Sequence, residues 1–325
     1  MELVTLDELR AAQKRVAGAV VRTPLLPCAH GDPGRALWLK PENLQPIGAF
    51  KLRGAYNLIA SLTDEERARG VVAHSSGNHA QAVAYTARRF GIPAVIVMPD
   101  TAPRVKVDAT RALGAEIVMV PRERRDVAAF ELAAEHGYTV VPPYDDRRIV
   151  AGQGTAGLEI AEDLPDAAAV LVPVSGGGLL SGVAAAVKAL RPDTKVIGVE
   201  PELAADAAES LRTGALATWD ATDTYRTIAD GLRTTSLGVV PFAHVRAYVD
   251  DIVTVSEEQI RDAVRFLAYS ARLVAEPSGA VATAGFLFRR DALPGGGDHV
   301  AVVSGGNVEP ALFAGLVGRP EHPAA

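Results

Sequence analysis

Val71-Val-Ala-His74-Ser-Ser-Gly-Asn78-His-Ala-Gln81 decides the fold: a short strand-like run, a break of serines and glycine, then a helix-like stretch that reaches Phe90 and stops at Gly91. The strand-like Ile92 to Met98 follows at once, and the unit repeats. Pro103 to Leu113 reads as helix and stops at Gly114, Ala115 to Val120 as strand, Asp126 to His136 as helix before Gly137, and Tyr138 to Val141 as strand. Short apolar strands alternating with glycine-stopped helices build parallel βαβ units, because glycine accepts the left-handed conformation that ends a helix. A small α/β domain over residues 63–145 is expected.

A second series encloses the first. A helix near Thr155 to Glu162, strand Val170 to Val174, helix Leu180 to Leu190 and strand Lys195 to Val199 keep the same alternation. The stretch Glu258 to Ala275 carries Ile260, Val264, Leu267, Ala271 and Val274 at helical spacing, and His299 to Val303 forms the last apolar strand. With the N-terminal residues these predict a larger domain made of residues 1–62 and 146–325. The fold class is therefore α/β, each domain an open, mostly parallel sheet flanked by helices. Thr5 with Glu8, Thr63 with Glu66 and Ser256 with Gln259 have capping-box spacing, which starts helices near residues 6, 64 and 257.

Composition narrows the function. The 33 basic and 39 acidic residues give a net charge of −6 with no block of like charge, which disfavours nucleic acid and anionic membrane surfaces and favours small molecules. No apolar run approaches the ~18 residues of a membrane helix, and the acidic, amphipathic N-terminus is unlike a signal peptide, so a cytoplasmic location is expected. Cys28 is the only cysteine. That excludes an intramolecular disulfide and a cysteine metal site, and suits a packed, inert side chain.

Four segments can carry chemistry. The strand Val170 to Val174 leads into Ser175-Gly-Gly-Gly178 and then the helix-like Leu179 to Leu190. Glycines let backbone N–H groups converge, and a helix N-terminus adds positive potential, so a phosphate fits; a tight turn without ligand is the plain alternative. Neither P-loop nor GxGxxG order is present. Lys51 lies between Phe50 and Leu52 and two residues before Arg53. It is either a solvated surface lysine or, with its pKa lowered by apolar neighbours and a nearby cation, an amine able to attack an aldehyde. Ser75, Ser76, Gly77 and Asn78 stand where open α/β sheets bind ligands and suit a carboxylate, though such residues also cap helices. His79 reads as structural more readily than as a base. Ser304-Gly-Gly-Asn307 repeats the strand-then-glycine form.

Taken in order, these segments resemble the threonine dehydratase and serine racemase family, enzymes of pyridoxal-5′-phosphate (PLP) fold type II, also called the tryptophan synthase β family. The likeness runs from Arg22-Thr-Pro-Leu-Leu26 through Lys40-Pro-Glu-Asn-Leu44 to Ser304-Gly-Gly-Asn307. It implies that Lys51 bonds the cofactor aldehyde, Phe50 packs near the pyridine ring, Asn78 bonds the 3′-oxygen, Ser175, Gly176, Gly177, Gly178 and Leu179 hold the phosphate, and Ser304 faces the pyridine nitrogen. Ser75, Ser76, Gly77, Asn78 and His79 would bind substrate, with Ser76 opposite Lys51 as a second acid-base group. Glu276-Pro-Ser-Gly-Ala280 and Ile228-Ala-Asp-Gly231 resemble cofactor-side segments. Ala49, Ser175 and Pro142-Pro-Tyr144 depart from the usual family residues, the last leaving substrate contacts there open.

The implied reaction is β-elimination of water from L-threonine or L-serine to a 2-oxo acid and ammonia, with serine racemase and 3-hydroxyaspartate dehydratase as alternatives. The family also implies a divalent cation (Mg²⁺, Ca²⁺ or Mn²⁺) held by Glu200, the Ala204 carbonyl and Asp206, oxygen ligands that suit a hard metal. Only eighteen residues follow Asn307, too few for a regulatory domain, so isoleucine feedback is not expected. A homo-oligomer, a dimer in the first instance, is the expected assembly. From other classes, a nucleotide-dependent oxidoreductase using the glycine turn and a non-catalytic sensor are the rival readings.

Overall fold

The computed structural model describes residues 2–30, 34–102 and 104–318. Among these, ten strands form two sheets: β1 (Leu26–Cys28), β2 (Arg35–Pro41), β3 (Val71–His74), β4 (Ala94–Pro99), β5 (Glu116–Val120), β6 (Thr139–Val140), β7 (Ala169–Pro173), β8 (Lys195–Pro201), β9 (Asp251–Val255) and β10 (Gly297–Val303). The four-stranded sheet has the order β5-β4-β3-β6 and is parallel throughout. The six-stranded sheet has the order β1-β2-β10-β7-β8-β9, with only β1 antiparallel to its neighbour. Helices cover both faces of each sheet, and central strands such as β4 and β7 are buried along their whole length. Continuous burial is what a doubly covered parallel sheet demands, and it explains the unbroken apolar runs in the sequence.

The three capping boxes form, with Thr5, Thr63 and Ser256 accepting from the N3 backbone and the N3 side chain answering in return. Gly91 and Gly137 end their helices in the left-handed conformation. Two elements differ from the sequence expectation. The helix expected near Thr155 begins at Arg147, capped by the Asp146 side chain, and runs to Asp163. Gly152, Gly154 and Gly157 hid its length, yet they let its backbone pass against Gly54, Gly182 and Val183, where a Cβ would collide. The stretch after Glu258 is helical only from Glu257 to Phe266, widens into a π turn over Leu267–Ala271, and reverses at Arg272 (φ 61°). The chain must turn there to start the next helix at Pro277, which leaves Val274 exposed. Pro103, where a helix was expected to begin, lies outside the described residues; the helix is seen from Arg104 to Ala112.

The helix Lys51–Ala60 joins the two sheets. Leu52, Ala55, Leu58 and Ile59 enter the core beneath β3 and β4, while Arg53 and Gly54 face the Arg147–Asp163 helix. The segments that leave the carboxyl ends of β3, β6, β7 and β10 converge beside its N-terminus, the position at which open parallel sheets bind ligands.

Candidate active site

Lys51 is the first residue of its helix, and Phe50 caps it. The Lys51 Nζ donates to the Pro143 carbonyl at 2.5 Å and lies 5.2 Å from the centre of the Phe50 ring. Burial pushes this amine down to about 8, so its neutral fraction near neutral pH, though the minority, is far larger than that of an ordinary lysine. A neutral, enclosed lysine is the group needed to bond an aldehyde. The Phe50 N–H donates to the Ser304 carbonyl at 3.0 Å, which brings the end of β10 to the same place. Ser304 is itself buried.

The glycine turn follows β7. Gly177 has φ +89° and caps the helix Gly178–Leu190, whose first turn presents N–H groups without intrahelical partners. A side chain at Gly176 would strike the Tyr144 ring, and one at Gly177 would lie 2.7 Å from Leu237 and 2.8 Å from Pro241. Only bare backbone fits, and bare backbone N–H groups at a helix start suit a phosphate. The Ser175 hydroxyl bonds the Thr234 hydroxyl at 2.8 Å, and Leu179 is buried behind the turn.

Beyond β3, the Gly77 N–H donates to Ser75 Oγ at 3.2 Å, while Ser76 is half-buried beside it. Asn78 Nδ2 donates to Glu276 Oε1 at 2.7 Å, and Asn78 Oδ1 accepts from Asn307 Nδ2 at 2.8 Å. His79 points into the interior, with Nε2 on the Val141 carbonyl at 2.8 Å; burial and then the Lys51 charge push it down to about 3, so it is neutral. Lys51, the glycine turn, Ser304 and the Ser75–Asn78 segment therefore meet in one region, with His79 behind them.

Glu200 and Asp206 are both buried at the end of β8 and the start of the Asp206–Thr213 helix. Glu200 accepts from the Ala207 and Ala208 N–H groups at 3.2 and 2.8 Å. Burial and the Asp206 charge raise its pKa well above the usual carboxylate range, and burial pushes Asp206 up to about 7. Asp206 Oδ2 is buried without a hydrogen-bond partner. Two close carboxylates with an orphaned oxygen fit a cation better than they fit each other. Among the described residues no group of three or more His, Cys, Asp or Glu side chains gathers as a metal site; the set expected from the sequence contains only two such side chains.

A family model described as "Pyridoxal-phosphate dependent enzyme" matches residues 16–305. The chain belongs to that family. That membership replaces the reading of the chain as a nucleotide-dependent oxidoreductase. Within the family, the chain is 42% identical to the L-threo-3-hydroxyaspartate ammonia-lyase of Saccharomyces cerevisiae, over 99% of this chain and 98% of that protein. It is 44% identical to the L-threonine ammonia-lyase of Thermotoga maritima, over 98% of this chain and 79% of that one. The solved structure of maize serine racemase superposes with a TM-score of 0.91 at 38% identity, covering 96% of each chain. Among the described residues no helix is long and apolar enough to cross a membrane, and Cys28 is free and buried.

Sequence reasoning missed the parts that other segments supply. Tyr144 was marked only as a departure, yet its ring walls the glycine turn. Pro143 supplies a carbonyl and Thr234 a hydroxyl, neither with a local signature. Asn307 stands out in the sequence only as the end of Ser304-Gly-Gly-Asn307, and its contact with Asn78 has no trace in one dimension.

Proposed function

We propose that this enzyme is a PLP-dependent ammonia-lyase that converts L-threonine and L-serine to the 2-oxo acid and ammonia. The observation that carries the proposal is the buried Lys51 amine, lowered to about 8, beside a glycine turn that admits only backbone. Lys51 and Phe50, the turn from Ser175 to Leu179, Asn78 and Ser304 would hold the cofactor. The bound cofactor supplies the electron sink for charge that develops at the substrate Cα. Lys51 Nζ moves the Cα proton, and its lowered pKa suits it to take that proton near neutral pH. Ser75, Ser76, Gly77 and Asn78 orient the substrate carboxylate through hydroxyl, amide and free N–H groups, and His79 supports them from behind. Tyr144 closes the wall over the turn and excludes water. Water leaves across Cα–Cβ and water returns to release ammonia, so no oxidant or reductant is consumed.

Glu200, the Ala204 carbonyl and Asp206 are proposed to bind Mg²⁺, Ca²⁺ or Mn²⁺, supported by the unpartnered Asp206 oxygen. The chain is taken as two bodies, residues 1–62 with 146–325 and residues 63–145, working in the cytoplasm as a homodimer.

A second reading, with 3-hydroxyaspartate as substrate or with racemisation of serine, is favoured by the yeast and maize relatives and by Ser76 on the substrate segment. Release of 2-oxo acid from L-threonine, L-serine, D-serine and L-threo-3-hydroxyaspartate decides among these. Turnover of the first two supports the dehydratase, turnover of hydroxyaspartate alone or interconversion of L- and D-serine followed by chiral chromatography supports the second reading, and neither oxo-acid release nor interconversion by PLP-loaded protein refutes both. Ser76→Ala should remove D-serine turnover while sparing L-serine if Ser76 serves the face opposite Lys51; equal losses would assign it to carboxylate binding.

A further inference from the structure

An asparagine carboxamide offers an acceptor at one end and two N–H donors at the other, so its orientation decides whether it attracts or repels an anionic oxygen. Asn78 stands where that choice matters, and its protein neighbours settle it. The Ile47 main-chain carbonyl can only accept. Asn307 Nδ2 donates to it at 2.8 Å and, from the same amino group, to Asn78 Oδ1 at 2.8 Å. Asn78 Oδ1 is thereby committed to Asn307. Its Nδ2 is turned the other way, donates one N–H to Glu276 Oε1 at 2.7 Å, and keeps one in reserve.

The backbone packs closely around both carboxamides and keeps these partners in place. A side chain at Gly305 would collide with Glu276 Oε1 and reach within 3.1 Å of Asn78 Nδ2, and one at Gly48 (φ +72°) would reach within 2.5 Å of Asn307 Oδ1. The Glu276 N–H is tied to the Gly305 carbonyl at 3.1 Å. Burial, then repulsion from Asp230, pushes the Glu276 carboxyl up to about 8, and Asp230 is itself paired with Lys106 at 2.7 Å. A carboxyl oxygen accepts from Asn78 in either protonation state, so the orientation survives the titration.

We propose that Asn307 and Glu276 are positioning residues that lock the Asn78 carboxamide nitrogen-forward, so that its remaining N–H meets an anionic ring oxygen of the cofactor. The relay rests on the assignment of Asn78 to the cofactor's 3′-oxygen and adds what fixes its polarity. A donor at that oxygen stabilises the ionised form, so the relay also sets which tautomer the bound cofactor adopts, a difference visible in its absorption spectrum.

Asn307→Asp is nearly isosteric but replaces the donor with acceptors, which turns the Asn78 oxygen forward. Titration of cofactor-free protein with PLP should show affinity reduced about tenfold to a hundredfold, the equivalent of one hydrogen bond to a charged group. The visible absorption band of the loaded protein should weaken in favour of the near-ultraviolet one. Glu276→Ala should act in the same direction and Glu276→Gln, which keeps the acceptor, should restore both readings; circular dichroism of each cofactor-free variant checks the fold. Parent-like affinity and spectrum in both Asn307→Asp and Glu276→Ala overturn the relay. If Asn78→Ala alone alters them, the relay falls and the Asn78 assignment stands. If Asn78→Ala changes neither, the assignment falls and takes the relay with it.

Discussion

Replacing Arg53 with methionine removes the centre of a buried ion network on the helix that begins with Lys51. Arg53 donates through Nε to Glu42 at 2.6 Å, through Nη1 to Thr155 at 3.0 Å and Glu159 at 2.7 Å, and through Nη2 to Glu42 and Glu159 at 2.8 Å each. Lys40 Nζ shares Glu159 at 2.6 Å, so two cations balance two anions, all at or near zero exposure. Methionine fills much of the volume, and the loss is chiefly the uncompensated carboxylate, which costs about 3–5 kcal/mol. That is a large part of the ~5–15 kcal/mol that holds a typical domain. The pH dependence has a definite sign. In the parent, burial raises the Glu42 pKa, but the Arg53 charge and hydrogen bonds outweigh it and leave it below its ordinary value. Glu42 therefore adds stability above the unfolded carboxylate range, and that stability is lost as pH falls through the depressed value. Without Arg53 the upward push of burial is opposed only by Lys40 and the Thr23 hydroxyl bond, so the variant is penalised near neutrality and relieved in acid. Urea unfolding of cofactor-free protein should show the full deficit near neutral pH and a smaller one near pH ~4–5, with Arg53→Lys intermediate because it keeps the charge but not the fork. A deficit below about 1 kcal/mol, or one unchanged in acid, would refute the reasoning.

The buried Lys51 amine makes cofactor-free protein gain stability as pH rises from about 8 toward the ordinary lysine value, because only the unfolded chain binds that proton there. Urea titration across the window checks this, and Lys51→Met should abolish the rise. Gly177→Val forces a β-branched residue into a left-handed position and against Leu237 and Pro241, and should lower PLP affinity about tenfold or more in direct titration; unchanged affinity would move the phosphate elsewhere. A chelator should lower the melting temperature and Mg²⁺ or Ca²⁺ restore it, since a ligand of the folded state adds stability by mass action. Asp206→Ala should be indifferent to both, and a full metal response in that variant would place the cation elsewhere.

The alternation of strand and helix from Val71 to Val140 was legible because buried parallel strands must be apolar runs and their helices stop on glycine. β2 and β9 were not recognised: Arg35 and Lys40 punctuate the first, and Asp251 opens the second. The start of the Arg147–Asp163 helix was masked by glycines that serve close packing, a reason that only the partner helices reveal. At the site, Lys51 and the turn at Gly177 announced themselves by residue type. The bonds from Asn78 to Glu276 and Asn307 span most of the chain and have no local signal. The pairing of Glu200 with Asp206 came from family likeness, because two acids at that spacing are ordinary on any surface loop.

β10 is the last strand among the described residues, yet it lies inside its sheet, between β2 and β7. During synthesis the four-stranded sheet has all its members once Val140 has emerged, whereas β2 must wait with one edge open until Gly297 arrives to pair with Arg35. Pairing at such separation is slow to form, and the waiting edge is open to wrong partners. Ser304 and Asn307 come later still, directly after β10. A nascent or truncated chain without them lacks one wall of the lysine pocket and the partner of Asn78, so on the proposed site cofactor loading should report whether translation passed β10 and reached Asn307.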